Sequence, residues 1–492
     1  MGAKTQRDKI IFGLKVRHLR QAEGLSFAEL SRRAKMSVSY LNEIEKGKKY
    51  PKADKITVLS EVLGANTGEL TSGVLPQRLQ PVENLLRSNF LNELPLDLFG
   101  IDVSKVIEII ASAPTRVNAF ISTLLEISQH YSLQNGHFYF AALRSFLELN
   151  NNYFEEIEEA VRQFREDNAL STDQLLSDEE LKQLLISKYK YKIIEGGLNQ
   201  YPELQQMRSV FLSKNKKLLL NQNLTPVQRT FQFGKEIAFQ YLNLKARANT
   251  SSLHHPQTFE EVLNHSKAIY FSDALLMPLD AFVKDVKNTF QEKKWSGTLL
   301  LNLMDKYRAT PEMLYHRLTN VLPQFFGINS LFFIRIKEEK TTNEFTIDRE
   351  LHINCRLHTH NNGLREHYCR RWTGIQLLNQ LRDEGTKAGA VVKAGKITHL
   401  DTNETYLCLS IARPEFPTQK TNINVTIGLR INKALLQKIS FINDSGIPHV
   451  TVNRTCERCA LTDCADRVAP PIIIRAKQKK LDIKERIDLL NR

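Results

Sequence analysis

The strongest constraint in this sequence is a pair of serines, Ser26 and Ser37, each standing just ahead of a short run with helical apolar spacing. A serine hydroxyl in that position accepts a hydrogen bond from a free backbone N–H and starts a helix. Glu29, three residues after Ser26, completes a capping-box pattern. Upstream, Phe12, Val16 and Leu19 recur at spacings of four and three between Lys9 and Gln21, one face of a first helix, which Gly24 stops. The second helix, Phe27 to Ala34, buries Leu30 and Ala34. Lys35 and Met36 form a turn, and the third helix runs from Ser37 to Lys46. Leu41 and Ile44 face inward on it, with Val38, Ser39, Asn42 and Glu43 on the opposite side. Gly47 ends it, and Lys48 to Lys52 form a basic loop. A fourth helix points Ile56, Leu59 and Leu63 inward before Gly64, and a short turn from Thr67 to Leu70 closes the unit. Five short helices within about seventy residues predict a small bundle.

The segment Leu25 to Ser31 followed by Ser37 to Gly47 resembles the helix-turn-helix of the Cro/lambda-repressor (Xre-type) family, and the likeness spans residues 9–72. That resemblance implies an internal ion pair between Arg20 and Glu45. It also implies that the third helix enters the major groove of double-stranded DNA, with the protein acting as a homodimer. Val38, Ser39 and Glu43 would then face base edges, with Asn42 close by. Val38 offers only apolar contact, for instance to a thymine methyl, and Glu43 can accept from cytosine. Phe27, Lys46, Lys48 and Lys49 would lie near phosphates, which position a protein without reading sequence. The competing reading is a helical protein-interaction module with an exposed lysine loop.

The rest of the chain is bounded by simple quantities. Its 492 residues suggest roughly three domains. A formal net charge of +14 favours polyanionic partners and says nothing about fold. No run approaches the ~18 apolar residues of a membrane span. Met1 to Arg7 is polar and carries no secretory pattern. Of six cysteines, three cluster near the C-terminus, as a local site in a reducing compartment would have them. The expectation is a cytoplasmic protein with no membrane partner.

Residues 76–185 read as a helical connector or dimerisation region, punctuated early by Pro76, Pro81 and Pro95. Residues 190–205 and 208–220 look extended, and Gln228 to Leu242 reads as a helix. The order of these pieces over 186–325 resembles the metallopeptidase-like domain of the IrrE/ImmA family. In that family a helix carries His-Glu-x-x-His, which binds zinc and activates water. Here the aligned residues are Lys235-Glu236-Ile237-Ala238-Phe239. An ammonium and a phenyl ring do not replace two imidazoles. The domain is therefore expected to be catalytically dead, the protein no enzyme, and Glu236 a surface or salt-bridged carboxylate. The bland alternative is an unrelated helical spacer.

From Leu331 the composition turns strand-like, at Phe332–Ile336, Thr405–Arg413 and Ile423–Leu429. This predicts a mixed or antiparallel sheet domain over 330–475, with a basic tail over 476–492. The fold class is then a multidomain α+β chain with an all-α head. Cys456, Cys459 and Cys464 are spaced to converge on one soft metal, zinc or an iron–sulfur centre. A fourth ligand could be Cys355, His358, His360 or Cys369. A reduced redox-sensing cluster, or no special role, are the alternatives, and Cys408 reads as plain core. The ending, with Arg467, Pro470 and Pro471, resembles the C-terminal domain of bacterial short-chain fatty-acyl-responsive regulators. That resemblance implies a one-component regulator sensing a small effector such as a short-chain acyl-CoA. Its rivals are a regulator-protease acting on a partner protein and an antitoxin-like interaction scaffold.

Overall fold

A computed structural model describes residues 6–72, 75, 135–171, 175–250, 256–355, 366–384, 389–416 and 420–490. Most of the connector expected over 76–185, along with His358 and His360, lies outside the described residues. The chain divides into two units, Met1–Ala142 with Gln257–Phe259, and Leu143–Pro256 with Glu260–Arg492.

The first unit contains the helical head: α1 (Gln6–Ala22), α2 (Phe27–Ala34), α3 (Val38–Glu45), α4 (Ala53–Val62) and α5 (Thr67–Thr71). Ser26 Oγ accepts from the Glu29 N–H at 3.1 Å, and Ser37 Oγ from the Tyr40 N–H at 3.2 Å. The capping box is only half made. The Glu29 carboxylate turns to Arg33 (3.1 Å) and Arg32 (3.2 Å), cations one turn further along the same exposed face. Phe12, Val16, Leu30, Leu41, Ile44 and Leu59 form the core. At Gly13 α1 meets the end of α3 so closely that a side chain would run into the Ile44 carbonyl. Lys15, although buried, donates to the Glu69 carbonyl (2.6 Å) and the Ser72 carbonyl (2.7 Å), so it ties α5 to α1.

In the second unit, helices α6 (Asn135–Leu149, continuing from the first unit), α7 (Glu155–Asp167) and α8 (Asp178–Ser187) precede a small sheet. Its strands β1 (Lys192–Ile194), β2 (Ser209–Leu212) and β3 (Lys217–Leu220) lie in the order β1-β3-β2. The extended reading of 190–205 holds only for β1. β1 ends at Ile194, just ahead of Gly196 at φ +69°, and a short turn at Pro202–Leu204 keeps the rest of that segment from extending. Next come α9 (Pro226–Tyr241), α10 (Phe259–Leu276), α11 (Leu279–Gln291), α12 (Thr298–Tyr307) and α13 (Pro311–Phe326). Buried Arg317 on α13 grips Glu158 on α7 at 2.5 and 3.0 Å, and Tyr270 on α10 donates to the same carboxylate at 2.7 Å.

The larger sheet comprises β4 (Leu331–Glu339), β5 (Glu344–Ile353), β6 (Val391–His399), β7 (Thr405–Pro414), β8 (Thr421–Arg430) and β9 (His449–Val452). Its order is β5-β4-β8-β7-β6-β9, antiparallel except for the β6–β9 edge. Successive side chains on a strand point to opposite faces. Phe333, Leu407, Leu409 and Ile427 accordingly join the main core, which extends from Leu147 to Ile447. Phe332, Ile334, Tyr406 and Cys408 join a second core beneath α14 (Thr373–Glu384). Both faces of the central strands are covered, which explains their nearly unbroken apolar sequences. After α15 (Lys433–Lys438), the region expected as a basic tail forms α16 (Ile472–Leu490), with no buried residue along it. The architecture is a multidomain α+β chain with an all-α head.

Candidate nucleic-acid interface and two interior sites

On the head, α3 turns Val38 (45% exposed) and Ser39 outward, and Asn42 and Glu43 are half-buried beside them. Lys46 caps the C-terminal end of α3, and Lys48 and Lys49 follow, all three exposed. Glu43 is not idle: its carboxylate pairs with Lys49 at 2.7 Å, and its carbonyl accepts from the Lys48 (2.9 Å) and Lys49 (3.2 Å) N–H groups. That contact holds Lys49 above its ordinary pKa. Arg20 donates to both oxygens of Glu45, at 2.6 and 3.0 Å, and to the Leu25 carbonyl at 2.9 Å. Its guanidinium also covers the Phe27 ring at 4.2 Å. What remains to Phe27 for a phosphate is its backbone N–H in the first turn of α2. The arrangement therefore presents a short outward face, part polar and part apolar, framed by lysines on a preformed scaffold.

The second position is the one where the IrrE/ImmA likeness would place zinc. On α9, Lys235, Glu236 and Phe239 are all buried. Glu236 accepts from Arg247 at 2.8 and 2.9 Å and from the Tyr191 hydroxyl at 3.0 Å. Of the two readings of Glu236, the salt-bridged one is realised, and in the interior. Arg247 is sandwiched between the rings of Phe211 (3.9 Å) and Phe239 (4.1 Å). Lys235 Nζ stands 3.5 Å from His265 Nε2 on α10. Burial pulls the Lys235 ammonium down to about 7, against the raising effect of Glu236. Burial, then Lys235 itself, holds His265 well below the ordinary histidine range. These residues do not fit a zinc ion: the donor positions hold a cation and a phenyl ring, and the glutamate's oxygens are already engaged. His265, Arg247 and Tyr191 carry no sequence signal, because only the tertiary fold brings His265 to Lys235 and Arg247 and Tyr191 to Glu236.

The third site is the C-terminal cysteine region. Cys369, Cys456, Cys459 and Cys464 share the lining of one small, mostly enclosed cavity with Arg370 and Arg467. Of the four open choices for a further ligand, only Cys369 among the described residues reaches that cavity. Cys355 lies elsewhere, its Sγ 3.5 Å from His352 Nδ1. Arg467 donates to the Cys456 carbonyl at 2.9 Å and the Cys459 carbonyl at 3.3 Å, folding the loop around itself. Burial raises the Cys369 thiol pKa, and neighbouring Cys456 and Cys459 add to the shift. All six cysteines are free thiols. Among the described residues no three His, Cys, Asp or Glu side chains stand closed around a point as ligands do, so the four thiols share a cavity without closing on its centre. Four soft donors in one pocket are nonetheless a donor set suited to zinc or an iron–sulfur centre. Cys408 is buried in β7, and burial raises its thiol pKa far above normal.

Comparison with known proteins agrees with two parts of this description. The helix-turn-helix domain family matches residues 11–72, and the IrrE N-terminal-like domain family matches residues 198–319. This is the domain composition of a DNA-binding regulator. One similar solved structure is a Mycobacterium tuberculosis transcriptional regulator, 18% identical with a TM-score of 0.47, covering 67% of this chain and 94% of that one. No curated protein matches the chain. Among the described residues no helix is long and apolar enough to cross a membrane.

Proposed function

We propose that this chain is a sequence-specific transcriptional regulator that binds operator DNA as a homodimer through α3 and responds to a small-molecule effector. The resemblance of its C-terminal region implies a short-chain acyl-CoA as that effector. The observation that carries the DNA reading is the outward face of α3, with Val38, Ser39, Asn42 and Glu43 framed by Lys46, Lys48 and Lys49. A helix so framed can read base edges while its flanks hold phosphates.

The IrrE-like domain acts as architecture or sensor in this reading, not as a peptidase. Lys235, Phe239 and the Arg247–Glu236 pair support that role, because they leave neither a zinc site nor a free general base. In the C-terminal region, Cys369, Cys456, Cys459 and Cys464 are the residues that would hold zinc or an iron–sulfur centre. Such a metal would supply folding free energy to its loop.

The test is to recover and sequence the genomic DNA fragments bound by the full chain, then to titrate the recovered site against salt. Specific fragments whose affinity falls steeply with salt are expected. Failure to retain any fragment, or binding indifferent to salt, would leave the protein-interaction reading in its place. Peptidase activity abolished by Glu236→Gln would restore the protease reading.

A further inference from the structure

We propose that α16 is a docking helix for an acidic amphipathic helix of another protein, which pairs with it as a two-stranded coiled coil. The helix leaves the cysteine loop, where the Ile473 N–H donates to the Glu457 carbonyl at 3.1 Å, and from Arg475 to Leu490 every residue is exposed. A helix of 19 residues with no packed face is marginal in water, because helices owe most of their stability to the surface they cover. Its apolar residues are nonetheless ordered. Ile473, Ala476, Lys480, Ile483, Ile487 and Leu490 follow one another at spacings that alternate three and four, the repeat of a coiled-coil seam. Ile483 is 51% exposed, Ile487 52% and Leu490 79%. Isoleucine at the first seam position of a heptad, leucine at the fourth and one lysine within the seam are features of two-stranded coils.

The charges decide which second strand fits. Lys477 and Lys484 flank the seam on one side and Lys479 and Arg486 on the other, whereas Asp482, Glu485 and Asp488 all fall on the outer side of the helix. Flanking charges set the partner and its orientation in a coiled coil. A second copy of α16 would oppose cation to cation along both flanks, whether parallel or antiparallel. A strand with Glu or Asp at its flanking positions pairs with all four cations, and a carboxylate or amide opposite Lys480 completes the seam. An anionic bilayer is less suited, because α16 has no aromatic residue to seat at the interface and Lys480 interrupts its apolar face. Duplex DNA would engage the cations but leave the isoleucines in water.

The inference goes beyond the DNA-binding reading and does not depend on it. The full chain is titrated, at constant physiological ionic strength, with three labelled synthetic heptad peptides. The first carries Ile and Leu along the seam and Glu at every flanking position, the second the same seam flanked by Lys, and the third Glu flanks with Ser along the seam. Saturable one-to-one binding of the first peptide alone is expected. Ile483→Asn combined with Ile487→Asn should weaken it by about tenfold or more, with an unchanged melting temperature, since both side chains are exposed. Replacing Lys477, Lys479, Lys484 and Arg486 by Glu should transfer binding from the first peptide to the second. Binding of the third peptide as tightly as the first would reduce the contact to charge alone and overturn the proposal, as would equal binding by the Asn variant. A dimer of the wild-type chain that the Asn variant loses in sedimentation would give the seam to a second copy instead. Retention on phosphatidylserine vesicles, lost with the same two isoleucines, would give it to a lipid surface.

Discussion

Arg20 and Glu45 show how much one residue pair decides in the head. Both are largely shielded, and Arg20 binds the carboxylate, the Leu25 carbonyl and the Phe27 ring at once. Arg20→Ala leaves a buried carboxylate without its cation, which costs about 3–5 kcal/mol. Thermal melting should show the head's transition lost or sharply lowered. On α3, Ser39→Ala and Glu43→Ala are expected to change base preference by about 1–3 kcal/mol each. Lys48→Ala should instead weaken all sequences alike and flatten the salt dependence. Because Glu43 restrains Lys49, Glu43→Ala should also raise non-specific affinity, and binding to an unrelated duplex checks this. Lys235 makes a prediction about pH. An unfolded lysine titrates near 10.5 and Lys235 near 7, so between these values the unfolded chain holds the extra proton and stability rises with pH. Lys235→Met should therefore stabilise the second unit by on the order of a few kcal/mol at or below pH 7. That gain should shrink as pH climbs, and denaturant melts at pH 6 and pH 9 would show whether it does.

At the scale of elements, the helices of the head were the legible part, because caps and helical spacing act over three or four residues. Ser26 and Ser37 cap α2 and α3 through their own hydroxyls. In the larger sheet, strands were read only where both faces are buried, as in β7 and β8. β5 was missed because it is an edge strand with charged, partly exposed side chains, and β9 is only four residues long. The cysteine loop yields its own test. Cys369→Ser, Cys456→Ser, Cys459→Ser and Cys464→Ser should each release the proposed metal and lower the melting temperature to the same extent, since ligands of one centre are not additive. Cys355→Ser should retain it. Elemental analysis of anaerobically purified protein provides the count, and metal retained in Cys369→Ser would remove Cys369 from the ligand set.

For the whole molecule, the proposed dimer sets the form of the operator. One α3 spans only a few base pairs, so two should read half-sites about one helical turn apart, ~34 Å. Footprinting should reveal a pseudo-palindrome protected on one face of the duplex. A single half-site, with occupancy independent of any dimerisation equilibrium, would contradict this.

The sequence by itself determined the features set by near neighbours. These are the caps and inward faces of α1 to α4, the outward set on α3, the loss of both histidines at Lys235 and Phe239, and the Cys456–Cys459–Cys464 spacing. Tertiary structure alone decided what converges from far along the chain. The fold brings Cys369 to a loop some ninety residues later, through its N–H bonded to the Arg454 carbonyl at 3.1 Å. Helix packing sets Lys235 against His265, and strand register sets Arg349 opposite Arg335. Caps and turns answer to forces within one helical turn, whereas these meetings depend on how a sheet of a given register and the helices packed on it close around a shared core.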